Sequence, residues 1–289
     1  MKKYYRVIKK LLQILANNPG FFFKRIFFEL RYLLLNPKAP IINKKVNGVS
    51  FEFDFTLSPQ VKKMYAGSYQ PIITETLERY LKRGDTFIDV GANIGFFSAI
   101  AAGLVGSQGQ VHSFEPVPEY FRRLEQLAAR NPAYRIHANQ CAAGQEEKVA
   151  EMYVGNLPDI GNNTLVKSYL PQAGGGKVVE VPIRRLDKYI EEKKLDAITL
   201  VKIDVEGFEF SALKGMGGYL RDCLERGAGP VIICEVFPAL YPGLGYGVED
   251  IFTYMETFSY FPFEILNPEK KITSGDRNLG DIIFKFQKT

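Results

Sequence analysis

Acidic side chains recur in this chain where strand-like runs give way to glycine or proline. Asp204 and Glu206 flank Val205 ahead of Gly207, Glu115 precedes Pro116, Asp89 precedes Gly91, and Glu235 sits near the end of the apolar run Val231–Val236. A carboxylate held in place can take the proton of a weakly acidic hydroxyl. Spacing of i and i+2 at a strand end turns Asp204 and Glu206 toward one face, and Gly207 permits a sharp turn beyond them. Three roles are open to this pair. Asp204 can act as the base while Glu206 binds substrate hydroxyls or an ammonium group; both can offer hard oxygens to Mg²⁺; or Glu206 can be a helix N-terminal acid. The reading taken here is direct participation of at least one, without a metal. Glu235 is a further candidate for hydrogen bonding to substrate. The two histidines, His112 and His137, fall in strand-like runs and read as packed residues.

The element that must position these groups runs from Thr86 to Ser98. Phe87, Ile88 and Val90 read as a buried parallel strand. Gly91 and Gly95 turn the chain, and Phe97, Ile100, Ala101 and Leu104 then mark one side of a helix. Strand, glycine turn and helix form the nucleotide-binding unit of a Rossmann-like α/β sheet, with the ligand at the strand's carboxyl end. A pyrophosphate there wants free backbone N–H groups and no nearby anion. Asp89 opposes that, and the spacing G-x-x-x-G departs from G-x-G-x-x-G. S-adenosylmethionine has no phosphate and carries a sulfonium and an ammonium, so it suits this turn better. Gln110–Phe114 reads as a second strand. Glu115, 24 residues after Gly91, then lies where an acid meets ribose hydroxyls in such folds.

Four segments in order, DVGANIGFFS (Asp89–Ser98), SFEPVPEYFRRL (Ser113–Leu124), ANQCAAG (Ala138–Gly144) and LVKIDVEGFEFSALKGM (Leu200–Met216), resemble the FkbM-type methyltransferases. The resemblance runs from about Val46 to Phe286. It implies a class I fold with a seven-stranded, mostly parallel sheet of order 3-2-1-4-5-7-6, the last strand antiparallel. It also implies S-adenosylmethionine as cofactor, bound by Asp89, Gly91, Ala92, Asn93, Gly95, Glu115 and Pro116 and by the Asn139–Ala142 turn. O-methylation of a sugar, glycan, lipid-linked saccharide or natural product is the implied activity. Gln70 stands where the family often has Glu. Strand four then ends beside the transferred methyl, which makes Asp204 and Glu206 the catalytic candidates, with Glu235 second. Rival readings are methylation of a small-molecule hydroxyl or amine, a non-catalytic binding module, and an NAD-dependent dehydrogenase.

Charge divides the chain unevenly. Residues 1–36 hold eight Lys and Arg against Glu29, whereas the whole chain of 289 residues is only +5, so the remainder sums to −2. The body therefore offers no case for nucleic acid binding. Two helices are expected over residues 2–35, broken at Asn17–Gly20. Tyr4, Ile8, Leu11 and Leu15 share a face of the first, and the second is dense in Phe and Leu. Neither offers the roughly 20 uninterrupted apolar residues of a membrane span, and no signal-peptide core followed by small residues is seen. A basic amphipathic pair suits an anionic membrane surface, packing on the catalytic domain, or contact with a second subunit in a homo-oligomer. The cysteines Cys141, Cys223 and Cys234 show no metal or disulfide spacing, and a cytoplasmic setting is the default.

Three regions follow: the basic helical extension 1–36, a hairpin and lead-in helix over 37–85, and the catalytic domain 86–289. Within the last, Gly155–Gly176 forms a 22-residue loop, expected to be a lid or disordered. Phe208 to Leu220 is expected as one helix. Tyr65 and Tyr69 can wall the pocket or simply pack.

Overall fold

The computed structural model describes residues 15, 19–155, 163–166, 176–238, 241–273, 275–276 and 279–288. The first of the two helices expected over residues 2–35, Leu15 excepted, and most of the loop at 155–176 lie outside them. Chain order begins with helix α1 (Pro19–Leu34) and the antiparallel hairpin β1 (Ile41–Val46) and β2 (Val49–Asp54). Asn47 and Gly48 turn the hairpin with φ of 48° and 89°, the left-handed pair that an Asn-Gly turn supplies. Helices α2 (Pro59–Ala66) and α3 (Pro71–Tyr80) follow, each opened by proline, whose missing N–H has no helical partner to lose.

Strand and helix then alternate through β3 (Thr86–Val90), α4 (Phe96–Val105), β4 (Gln110–Phe114), α5 (Pro118–Arg130) and β5 (Arg135–Asn139). A smaller sheet comes next, made of β6 (Ala142–Ala143), β7 (Lys148–Val154), β8 (Asn163–Thr164) and β9 (Lys177–Arg184). Helix α6 (Leu186–Lys193), β10 (Leu200–Ile203), α7 (Glu209–Lys214), α8 (Gly217–Arg226), β11 (Val231–Val236), α9 (Val248–Glu256), β12 (Tyr260–Glu264) and β13 (Gly280–Phe286) complete the chain.

The main sheet runs β5-β4-β3-β10-β11-β13-β12, with β13 antiparallel to both neighbours. Numbered in chain order, its strands give 3-2-1-4-5-7-6, the class I methyltransferase arrangement. Side chains of β3 alternate between two cores, Phe87 joining one and Ile88 and Val90 the other, so both faces of the sheet are covered. The parallel pairing sets Asp89 level with Lys202, and brings the ends of β3, β4, β10 and β11 to one edge of the sheet.

One local expectation needs correction. The helix expected over Phe208–Leu220 is two helices, interrupted at Gly215 and Met216. A Cβ on Gly215 would stand 2.2 Å from the Gly144 carbonyl oxygen, so the backbone approaches closely there. Asp187 then takes over the helical bonds: its N–H donates to the Gly215 carbonyl and its carboxylate accepts from the Gly218 N–H, both at 2.9 Å. Part of the long loop, among the described residues, joins the smaller sheet. Its Asn163 and Thr164 return to pair with Val154 and Tyr153 at the end of β7.

Candidate active site

The glycine turn after β3 is built by its neighbours. The N–H groups of Gly91 and Ala92 both donate to the Phe114 carbonyl at 3.0 Å, which ties the turn to the end of β4. Gly91 has φ +79°, and a Cβ on it would lie 1.9 Å from the Asp204 carbonyl oxygen. The residue is glycine because another strand end presses on it, rather than to admit a ligand. Gly95, φ +83°, meets Leu124 and Leu127 of α5 in the same way and packs helix on helix. Asn93 takes φ 52°, and its side-chain oxygen accepts from the Ile94 N–H at 2.8 Å.

Glu115 closes the turn from the other side. Its carboxylate accepts from the Asn93 N–H at 2.8 Å and the Val117 N–H at 2.9 Å. Burial pushes its pKa up to about 7 against those two N–H groups. Each oxygen retains a lone pair for a further donor.

These groups wall a cleft of about 1080 Å³, open mouth included. Of the predicted cofactor residues, Gly91, Ala92, Asn93, Glu115, Pro116 and Ala142 line it, and so do the catalytic candidates Asp204, Glu206 and Glu235. Three do not line it. Gly95 packs on α5. Asn139 turns its amide to the Ser113 carbonyl and the Tyr189 hydroxyl. Asp89 is wholly buried, accepting from the Ser98 hydroxyl at 2.6 Å. Its charge meets the cleft only through Lys202, a residue the sequence reading passed over.

Lys202 is 2% exposed and sits with its ammonium 3.2 Å from Asp204 Oδ2 and 3.7 Å from Asp89 Oδ1. Burial works against that charge, but the two carboxylates outweigh it and hold the lysine above its ordinary value. The visible signal was a lysine inside an apolar strand, two residues before an acid.

Beyond β10 the chain makes a strained turn. Glu206 adopts φ 50°, uncommon for a residue with a side chain, and Gly207 φ 98°. Glu209 holds the turn, one carboxylate oxygen accepting from the N–H groups of Val205 and Gly207 at 3.1 and 3.0 Å. Thr164, from the long loop, donates its hydroxyl to the Glu206 carbonyl at 2.7 Å. Asn163 and Leu165 of that loop line the cleft, as does Tyr69, whereas Tyr65 packs on Phe53 and Phe55.

The carboxylates of Asp204, Glu206 and Glu235 converge, with an oxygen from each within 4.8 Å of the others. Burial, together with the charges of Asp204 and Glu206, drives the pKa of Glu235 up to about 10. At neutral pH Glu235 therefore carries a proton and can donate a hydrogen bond. Asp204, 3.2 Å from the Lys202 ammonium, is the member of the group tied to a cation.

The Methyltransferase FkbM domain matches residues 89–262 of this chain, more than half of it. Over 166 residues the chain is 34% identical to the 31-O-demethyl-FK506 methyltransferase FkbM of Streptomyces tacrolimicus, covering 47% of this chain and 61% of that protein. It is 28% identical over 157 residues to the hexuronic acid methyltransferase AglP of Haloferax volcanii, covering 53% and 58%. Among solved structures, Methyltransferase FkbM of Methylobacillus flagellatus KT aligns with a TM-score of 0.44 at 18% identity, covering 94% of this chain and 60% of that one. The alignments with the curated relatives thus span about 60% of those proteins' lengths. With its sheet order and the domain match from Asp89 to Pro262, the chain belongs to the FkbM family of methyltransferases, whose methyl donor is S-adenosylmethionine.

Proposed function

We propose that this protein transfers a methyl group from S-adenosylmethionine to a hydroxyl of a sugar, glycan or lipid-linked saccharide. The observation that carries the reading is the make-up of the cleft wall: the acidic residues Glu115, Asp204, Glu206 and Glu235 line it against Lys202, the one basic side chain among its described lining residues. That donor set fits a ligand bearing a sulfonium and an ammonium and opposes a pyrophosphate, which argues against the dehydrogenase reading. Glu115 would hold the ribose hydroxyls and the Gly91–Asn93 turn the neighbouring part of the cofactor. When bound, S-adenosylmethionine supplies an electrophilic methyl on a sulfur that leaves as a neutral thioether.

The protein's own contribution is alignment and proton handling. Asp204, fixed by Lys202, takes the acceptor's proton as its oxygen attacks. Glu235 donates to, and Glu206 accepts from, neighbouring hydroxyls, a pattern a polyol satisfies. The name of the hexuronic acid methyltransferase among the relatives supports a saccharide acceptor. A small natural-product hydroxyl or amine is the second reading, favoured by the relative named for demethyl-FK506. A cytoplasmic setting belongs to the proposal, supported by three buried, unpaired cysteines.

Thermal shift with S-adenosylhomocysteine and with NAD tests the cofactor. Stabilisation by the first alone is expected, and stabilisation by NAD alone would overturn the reading. Incubation with labelled S-adenosylmethionine and panels of glycolipids, uronic acids and polyketide alcohols then decides the acceptor class.

A further inference from the structure

Helix α1 meets the protein through a mixed face and leaves a row of large apolar residues outside. Its inward face carries Phe21, Lys24, Phe28, Arg31 and Tyr32. Phe21 is buried, and Phe28 rests against Gly67. Lys24 pairs with Glu78 at 3.1 Å, Arg31 donates to the Tyr65 carbonyl at 3.2 Å, and Lys62 covers the Tyr32 ring. The outward face is Phe23, Ile26, Phe27, Leu30, Leu33 and Leu34, each between 41 and 84% exposed. Successive spacings of three, one, three, three and one residues make a continuous stripe on one side of the helix. A helix that meets the body through this mixed face and turns an apolar stripe outward presents a contact surface.

The charge around the stripe says which surface. A groove beside α1 is lined by Lys24, Arg31, Lys44 and Lys45 against Glu78. Glu78 is already paired with Lys24. Burial and the Arg31 charge depress the Lys44 pKa, so two cations crowd one another there. Residues 1–36 as a whole hold eight Lys and Arg against one Glu, in a chain whose remainder is net acidic. An exposed apolar stripe on a segment of net basic sequence, with the exposed Lys44 and Lys45 in the groove next to the helix, matches a bilayer with anionic headgroups, in which the stripe enters the acyl boundary and the lysines meet phosphates.

We infer that α1 docks this protein on an anionic membrane, with the Phe23–Leu34 stripe inserted and the exposed Lys44 and Lys45 of the neighbouring groove against the headgroups. Met64, Tyr69 and Phe96 line both that groove and the candidate active site. On the function proposed above, docking sets the cleft beside the membrane, within reach of a lipid-linked acceptor.

The test is flotation of the full chain with phosphatidylcholine vesicles, with and without phosphatidylglycerol. Binding is expected on the anionic vesicles alone, and it should weaken as salt rises. The pair Phe27→Glu and Leu30→Glu, both on exposed positions, should lower the bound fraction about tenfold or more. Reversal of Lys44 and Lys45 to Glu should lower affinity to a similar extent, about tenfold. Unchanged stabilisation by S-adenosylhomocysteine in each variant would show that the fold is intact, and vesicle binding is read independently of any methyl transfer. A chain that ignores anionic vesicles, or a Phe27→Glu/Leu30→Glu variant that binds as well as the parent, overturns the inference. So does light scattering that shows a dimer broken by the same pair while vesicles are not bound.

Discussion

Lys202 and Asp204 lie two residues apart at the end of β10, with ammonium and carboxylate 3.2 Å apart, and the same ammonium reaches back 3.7 Å to Asp89. One buried cation thus joins the floor of the glycine turn to the acid that faces the cleft. Removing it by Lys202→Met would leave Asp89 and Asp204 facing each other without a counterion. Breaking a buried pair from one side costs roughly 3–5 kcal/mol. The urea midpoint should drop accordingly, and an unchanged midpoint would show that the lysine is not structurally required.

Asp204→Asn keeps the shape of the cleft and removes the base. Loss of a general base lowers rate by about 10²–10⁴. The expected result is a fall in kcat with little change in S-adenosylhomocysteine affinity by calorimetry. A kcat near that of the parent would assign the rate to positioning alone.

Glu115→Ala should weaken cofactor binding on two counts. It removes acceptors for the ribose, each charge-assisted bond being worth roughly 1.5–3 kcal/mol, and it frees the Asn93 and Val117 N–H groups that shape the turn. Calorimetric affinity equal to the parent's, in a folded variant, would remove Glu115 from the site.

Stability should depend on pH through three raised carboxyls. Glu115 and Glu209 are pushed to about 7 and Glu235 to about 10, all above the ordinary value of 4.5. A raised folded-state pKa means that the folded protein binds the proton more tightly than the unfolded chain. The associated stability is complete below pH 4.5, declines toward 7 for the first two, and declines toward 10 for Glu235. Glu235→Gln should therefore raise Tm relative to the parent at pH 8 to 9, with the advantage shrinking toward pH 5. A constant difference across that range would contradict the assignment.

The proposed reaction uses Asp204, Glu206 and Glu235 as proton carriers and hydrogen-bond partners. EDTA should accordingly leave the methyl-transfer rate unchanged. Loss of activity restored by Mg²⁺ would instead make the three converging carboxylates a cation site.

The nucleotide-binding half of the fold was legible because its signals are local. The strand–glycine–helix unit at Thr86–Val105 and the Asn47–Gly48 hairpin turn are written in neighbouring residues, where steric limits and side-chain period act directly. The alternation of strands and helices followed, and with it an α/β sheet whose strand ends must carry the acids. The same local reading placed Asp204, Glu206 and Glu115 at strand ends, where they do line the cleft.

Tertiary structure decided everything that depends on who meets whom. Asp89 and Lys202 lie far apart in the chain and come level only because β3 and β10 pair in parallel. Gly91 is explained by the Asp204 backbone that crosses it, and Gly95 by two leucines of α5, neither visible from the turn itself. The pKa of Glu235 is raised because the residue is partly buried and Asp204 and Glu206 are folded against it; burial and mutual repulsion are properties of the assembled edge of the sheet. The outward stripe of α1 is the sharpest case. Sequence spacing shows that the helix has an apolar side, but only the contacts of Lys24, Arg31 and Phe28 determine that this side faces away from the protein.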